Sequence, residues 1–182
     1  MRRPRVLLNM NYSGIIGSDI ANGSGVRVSL FVSGCTHHCK GCFNENTWDF
    51  AAGEPFTAAT EEFILSELDH SWIDGLSLLG GEPMEPGNQL ALIGLLRAFR
   101  AKFGERKTIW CYTGCVYERD LTRPTRWRTE VTDEFLSYVD TLVDGPFVES
   151  LKDISLKFRG SSNQRILSRE DRAALRAAQS SD

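Results

Sequence analysis

Apolar residues recur along the chain in short blocks whose spacing alternates between that of strands and that of helices. Residues 26–32 alternate with a period of two between a valine–leucine set and a set containing arginine and serine, which predicts a half-buried strand. Further short strands are predicted at residues 76–79, 108–112 and 141–143. Helices are predicted at residues 57–71, 88–103, 132–138 and 168–178, with Thr57, and Thr132 or Asp133, as N-terminal caps and Gly104 beyond a C-terminal end.

Strands and helices that follow one another in this way favour an α/β fold, in which crossover helices connect parallel strands. The strands are too few for a closed eight-stranded barrel, so we expect a partial, open barrel in a single domain spanning residues 1–182. Residues 1–12 and 167–182 are expected to be peripheral. Polar motifs follow each predicted strand, and ligands of parallel sheets bind at the carboxyl ends of strands. These motifs should therefore converge on one face.

Composition narrows the class of protein. The 182 residues are 41% hydrophobic and 25% charged, with a net charge of −3, which is ordinary for a globular domain and gives no general attraction to nucleic acid. The basic N-terminus precedes only a three-residue apolar run at 6–8, too short for a signal peptide, and no run approaches the ~20 apolar residues of a membrane span. We therefore expect a cytoplasmic protein with no membrane partner.

A cysteine-rich loop directly follows the first predicted strand. Cys35, Cys39 and Cys42 have the spacing C-x3-C-x2-C, between Gly34 and Phe43. In a reducing compartment such thiols are typical of metal binding, and thiolates prefer iron–sulfur clusters, zinc or Cu(I). Cysteine-ligated clusters usually have four thiolates. No fourth cysteine follows at close spacing, so a four-iron cluster here would keep one iron open to another ligand.

Two other interpretations of the cysteines have to be weighed. The triplet could form a structural zinc site completed by His37 or His38, although zinc sites usually combine two short ligand pairs. Cys111 and Cys115 repeat the C-x3-C spacing, but Cys111 falls in an apolar strand, where a thiol behaves as a small hydrophobe. We therefore expect one cluster and not two.

Several motifs together resemble one subfamily of the radical S-adenosylmethionine superfamily. The superfamily commonly has an aromatic residue just before the third cysteine, whereas this chain has Gly41 there and Phe43 just after it. This variant, over about residues 19–166, resembles the activating proteins of anaerobic (class III) ribonucleotide reductase. The motifs that carry the resemblance are NGSGVR at 22–27, CKGCFN at 39–44, TW at 47–48, GGEP at 80–83, WCYTG at 110–114, VDG at 143–145 and RGSSNQ at 159–164.

The resemblance implies a set of cofactors and ligands. Cys35, Cys39 and Cys42 would bind one [4Fe-4S] cluster, whose open iron is chelated by S-adenosylmethionine. Gly41 and Phe43 would lie along the adenine. Gly80, Gly81 and Glu82 would hold the methionine ammonium through backbone carbonyls and the carboxylate, which suits a group that only donates hydrogen bonds. The fold it implies is the open barrel of radical S-adenosylmethionine enzymes.

The resemblance also implies a reaction. An electron from flavodoxin or ferredoxin would drive cleavage of S-adenosylmethionine, and the resulting radical would take a hydrogen atom from a glycine of the anaerobic reductase. No acid–base residue is needed, so none is assigned. The loops 122–128 and 159–165 are candidate docking surfaces for the partner. Asp144 and Gly145 could equally form a turn at a strand end or a ligand site. Asn22 and Arg27 could contact the residues that bind the ligands, without contacting the ligands themselves.

Three other functions remain open. The chain could activate another glycyl radical enzyme, such as pyruvate formate-lyase, or act on a purine-like small molecule. It could also be a zinc-binding adaptor without catalysis.

Overall fold

The computed structural model describes residues 10–179, which form one mixed sheet of seven strands with helices. The sequence prediction for residues 1–9 lies outside this range. The strands run in the order β3-β1-β2-β4-β5-β6-β7 across the sheet. They are β1 Asn11–Asp19, β2 Arg27–Val32, β3 Glu54–Pro55, β4 Gly75–Gly80, β5 Thr108–Tyr112, β6 Thr141–Asp144 and β7 Arg165–Leu167. The helices are α1 Ala58–Glu67, α2 Pro86–Phe103, α3 Thr132–Tyr138 and α4 Arg169–Gln179.

The centre of the sheet is parallel and its two sides are antiparallel. β2, β4, β5 and β6 pair in parallel, and α1, α2 and α3 lie in the crossovers between them, as the alternating pattern predicts. β1 and β7 pair antiparallel with β2 and β6, and β3 pairs antiparallel with β1. The α/β prediction is therefore confirmed for the middle of the sheet, which is mixed as a whole.

β1 is the main element that the sequence pattern does not predict. Its nine residues include Gly14 and Gly17 and show no clean alternation of apolar and polar side chains. It forms because it pairs with β2, where Ile15 lies opposite Leu30. β2 is buried along almost its whole length, whereas the sequence pattern predicts a half-buried strand. Other parts of the chain cover both of its faces.

The two faces of the parallel strands have different chemistry. Alternate positions point to opposite faces, and one set packs with the helices into a single apolar core. The strand residues of that core include Val28, Leu30, Leu76, Leu78, Ile109, Cys111 and Leu142, which meet Ile64 of α1, Phe99 of α2 and Phe135 of α3. The other set includes Phe31, Leu79 and Tyr112, which line a cavity instead. The sheet thus separates a stabilising core from a cavity.

The helix ends agree with the sequence in part. Thr57 caps α1 as predicted, with its hydroxyl accepting from the Thr60 amide, although α1 ends at Glu67, earlier than expected. α2 begins at Pro86, two residues before the predicted start, and proline suits the first turn because its missing N–H has no partner there. α3 has no side-chain cap, contrary to the prediction for Thr132 or Asp133, because its N-cap residue is Val131 and the Thr132 hydroxyl, inside the helix, donates to Gln89. Within residues 10–179, no helix is long and apolar enough to cross a membrane.

Candidate metal centre and its cavity

A cavity of about 490 Å³ lies on the sheet face opposite the helices. Four regions line it: the turn between β1 and β2, the cysteine loop after β2, the ends of β4 and β5, and a long connection between β6 and β7. The predicted site residues that line it are Cys35, Cys39, Cys42, Phe43, Gly80, Gly81 and Glu82. The polar motifs therefore converge after the strands, as the sheet topology predicts. Gly41 is not in this lining, and a side chain there would meet the Glu149 carboxylate at 3.0 Å.

Backbone pairing fixes the cysteine loop at its first residues. The amides of Gly34 and Cys35 donate to the carbonyls of Thr47 and Trp48 at 2.8 and 3.0 Å, so the chain beyond the loop returns against its start. Gly34 has φ of +93°, and a Cβ there would come within 2.2 Å of the Phe50 ring. Glycine is therefore required where the loop opens.

The three cysteines of the loop are free thiols, and the surroundings of Cys35 and Cys39 disfavour the charged form. Burial, with a contribution from the nearby Glu82, raises the pKa of Cys35 to about 12. Burial also raises the pKa of Cys39, and the neighbouring Cys42 adds to this. Thiolates in such a site need a positively charged partner, which a bound metal group provides.

The spacing of the thiols discriminates between one ion and a larger group. Four-coordinate zinc binds sulfur at about 2.3 Å, so ligand atoms around a single zinc lie about 4 Å apart. Among residues 10–179, the only histidine, cysteine or carboxylate group with three ligand atoms within 4.8 Å of one another is His37, Glu82 and Cys115. The three loop cysteines are not such a group, although all three line one cavity. Their arrangement fits a cluster of several metal atoms better than one zinc ion.

A hydrogen-bonded group connects the cysteine loop to the strand ends, and it consists of His37, Glu82 and Cys115. Nε2 of His37 lies 3.0 Å from Oε2 of Glu82 and 3.7 Å from the Cys115 sulfur. The Glu82 carboxylate also accepts from the amides of Met84 and Gly114, at 2.8 and 2.7 Å. Burial holds the pKa of Cys115 far above its ordinary value, so its thiol stays protonated. Glu82 therefore ties the cysteine loop to the ends of β4 and β5.

Two aromatic stacks hold the histidines of the loop. His37 stacks on Trp127 with ring centroids 4.5 Å apart, and His38 stacks on Trp48 at 4.6 Å. The guanidinium of Arg126 covers the Trp127 ring at 3.9 Å and donates to the Thr36 hydroxyl at 2.6 Å. The loop 122–128 thus packs against the cysteine loop.

The long connection at residues 145–164 closes one side of the cavity, and its RGSSNQ motif is bonded mainly to itself. Oε1 of Gln164 accepts from the amides of Gly160 and Ser161, while Nε2 donates to the Gly145 carbonyl at 3.1 Å. Arg159 lines the cavity and donates to the Gln164 carbonyl. The motif therefore shapes the wall of the site.

Asp144, at the end of β6, and Arg165, at the start of β7, form an ion pair. Asp144 is fully buried and accepts from the guanidinium of Arg165 and the amide of Tyr117. Arg165 also forms an ion pair with Glu118 at 2.6 Å. The contacts of Asp144 are those of a residue that fastens β6 to β7.

Arg27 is the largest fully buried side chain beneath the site. Among residues 10–179 its donors reach neutral acceptors only: the Ser77 hydroxyl, Thr108 and the carbonyls of Ser24 and Leu76. Burial lowers its pKa to about 10. Arg27 thereby joins the NGSGVR turn to the first residues of β4 and β5.

Comparison with known proteins agrees with this geometry. The family model described as a 4Fe-4S single cluster domain matches residues 21–167. Proteins named anaerobic ribonucleoside-triphosphate reductase-activating protein are 42% identical over 157 residues in Escherichia coli K12, 41% over 162 in bacteriophage T4 and 39% over 160 in Vibrio cholerae. These matches cover 85%, 89% and 86% of this chain and 96%, 96% and 97% of the relatives. The chain belongs to the family of anaerobic ribonucleoside-triphosphate reductase-activating proteins.

One buried polar atom beside the cavity points to a bound ligand. The hydroxyl of Tyr112, a cavity-lining residue, is buried with no hydrogen-bond partner among residues 10–179. Buried hydroxyls are normally paired, so this atom fits a bound polar group. The sequence assigns no ligand contact to Tyr112, although it lies at the end of a strand and in the WCYTG motif, and it predicts only a packing or surface role for Trp127.

Proposed function

We propose that this chain is a radical S-adenosylmethionine enzyme that generates a glycyl radical on anaerobic ribonucleoside-triphosphate reductase. The observation that carries the proposal is that three free thiols of one loop and the glycine turn Gly80–Gly81 line the same cavity. The names of the relatives support the reductase as partner, in preference to pyruvate formate-lyase.

Cys35, Cys39 and Cys42 would hold one [4Fe-4S] cluster and leave one iron for S-adenosylmethionine. When bound, the cluster and S-adenosylmethionine supply a 5′-deoxyadenosyl radical that removes a hydrogen atom from a glycine of the partner. A reduced flavodoxin or ferredoxin is the expected electron donor, and the cytoplasm the expected compartment. The single domain 1–182 would adopt the open barrel of this enzyme class, with Met10 and Leu167, from the segments expected to be peripheral, in its core.

Residues at the strand ends would orient S-adenosylmethionine. Gly80 and Gly81 would meet the ammonium through their backbone, because Glu82 already accepts from two amides and lies beside His37. Glu82 would position these glycines. Phe43 would cover the adenine, with Gly41 at φ +73° setting the turn that presents it.

The chain's further task is to keep water from the reacting atoms. Phe147 and Phe158 line the cavity beside Phe43, whose ring lies 5.5 Å from that of Phe147. An apolar wall suits a hydrogen-atom transfer, which needs no proton acceptor but does need a dry site. No side chain is assigned as an acid or base.

The test is anaerobic reconstitution followed by iron analysis, product analysis and electron paramagnetic resonance. We expect about four irons per chain. With dithionite, S-adenosylmethionine and the reductase, methionine, 5′-deoxyadenosine and a glycyl radical signal should appear. Alanine at Cys35, Cys39 or Cys42 should abolish cluster-dependent cleavage, whereas Cys111→Ala, a matched control in the apolar core, should retain it. Zinc without iron, or cleavage by the triplet variants, would refute the proposal.

A further inference from the structure

We propose that four exposed apolar side chains around the cavity mouth form the docking surface for the glycine-bearing segment of the reductase. These side chains, Ile20, Phe43, Leu151 and Ile154, are called the rim. Their exposed fractions are 75%, 64%, 43% and 93%. The inference rests on the proposed function and adds to it the surface that receives the partner.

Each rim residue lies in the cavity lining or close along the chain to a residue that lines the cavity or contacts Phe43. Phe43 is itself part of the cavity lining, so the cavity reaches solvent beside its exposed ring. Ile20 directly precedes two lining residues, and Ile154 lies two residues before the lining residue Leu156. Leu151 precedes Lys152, whose ammonium lies 4.7 Å from the centre of the Phe43 ring. Single exposed apolar residues are ordinary, but a group of them around one cavity marks an interaction site.

The segment that carries Leu151 and Ile154 is held in place although neither side chain is buried. The amide and hydroxyl of Ser155 both donate to Oδ1 of Asp153, which forms a tight turn at Ile154. The Asp153 amide donates to the Gly160 carbonyl, and the Ser162 amide to that of Leu151. The turn therefore presents Ile154 to solvent in a fixed position, which lowers the entropic cost of binding.

The proposed reaction determines which segment of the partner has to bind at the rim. A radical formed in the cavity has to reach the Cα of a glycine while water is excluded. The hydrogen donor therefore has to enter through the open side, where the rim residues lie. The candidate docking loop 159–165 is less suited, because Arg159 donates to Gln164 and Arg165 is paired with Glu118 and Asp144. A segment with apolar side chains next to its glycine would cover the rim.

The test uses Ile154→Asp and Ile20→Asp in the reconstituted holoenzyme, with Phe63→Asp as control. Phe63 is also an exposed apolar side chain, at 50%, but it lies on α1, on the helix side of the sheet. We expect both rim variants to cleave S-adenosylmethionine with dithionite, without reductase, within twofold of the wild-type rate. Their affinity for the intact reductase should fall at least tenfold, and the glycyl radical yield at subsaturating reductase should fall with it. The control should match wild type in all three measurements.

Distinct outcomes would overturn the inference. If wild type forms the glycyl radical and the rim variants bind the reductase as tightly as wild type, the rim is not the docking surface and the proposed function stands. If wild type neither binds the reductase nor forms the radical, the proposed function and the rim's assigned occupant fall together. Slower reduction by flavodoxin with unchanged reductase binding would assign the rim to the electron donor. Altered self-association in light scattering would assign it to a second copy of the chain.

Discussion

Replacing Glu82 with glutamine is the sharpest test of the group that joins the cysteine loop to the strand ends. Glu82 is 1% exposed, and its two oxygens accept from the amides of Met84 and Gly114, with His37 beside them. Glutamine has the same shape, but one oxygen becomes an NH₂ group. In either orientation of the side-chain amide, one backbone N–H then faces a donor.

The magnitude follows from these contacts. A buried donor left without a partner costs about 1–3 kcal/mol, and the remaining hydrogen bond loses its charge, which is worth about 1 kcal/mol. We therefore expect Glu82→Gln to lower the free energy of unfolding by about 2–4 kcal/mol. The control Glu134→Gln removes an exposed ion pair with Arg97 and should cost no more than about 1 kcal/mol.

Anaerobic urea unfolding followed by circular dichroism measures both variants. A second measurement separates the positioning role of Glu82 from direct contact with the ligand. If the Gly80–Gly81 backbone holds the ammonium, the affinity of folded Glu82→Gln for S-adenosylmethionine should fall less than tenfold. A loss of stability no larger than that of Glu134→Gln would refute the hydrogen-bonding argument. A large loss of affinity with unchanged stability would make the carboxylate a ligand.

Three further outcomes are expected. Tyr112→Phe should weaken S-adenosylmethionine binding by about 2- to 12-fold in calorimetry, since one hydrogen bond is worth about 0.5–1.5 kcal/mol; unchanged affinity would show that its hydroxyl does not meet the ligand. Gly80→Ala should destabilise the fold by at least about 1–3 kcal/mol, because Gly80 has φ of +103° and a Cβ would lie 2.7 Å from the Phe31 Cα; a wild-type urea midpoint would contradict this. Arg165 lowers the pKa of Glu118 by a hydrogen bond, so this pairing stabilises the fold above the ordinary glutamate pKa and is lost as the pH falls through the lowered value. The stability difference between wild type and Arg165→Met in iron-free protein should therefore shrink from pH 7 to pH 3.5, and a constant difference would contradict the assignment.

Local sequence patterns predict the elements and motifs whose physical cause is local. The spacing of the three cysteines, the Thr57 cap and the period-two pattern of β2 each depend on neighbours within a few residues. The convergence of the polar motifs follows from one topological rule, that parallel strands end at the same edge of a sheet. These parts of the fold and of the candidate site could be predicted.

The remaining features depend on contacts between distant residues. His37 and Glu82 are 45 positions apart, so no local pattern pairs them. Arginine is ordinarily exposed, and the burial of Arg27 is possible only because carbonyls and hydroxyls from β4, β5 and the turn before β2 surround it. Trp127 lies in a polar, basic stretch, yet it is largely buried by stacking on His37. β1 similarly depends on its partner β2 for its structure.

The connection at residues 145–164 leaves and re-enters the sheet at nearly the same point, because Gln164 hydrogen bonds to Gly145. Closing a loop costs little when its ends are already fastened together. This stretch supplies part of the cavity wall and half of the rim, but none of the cysteines. We therefore expect that this connection can be replaced as a unit without unfolding the rest of the protein. Grafting the corresponding stretch of a relative between these two residues would be the simplest way to redirect the protein to another reductase while the metal-binding loop stays intact.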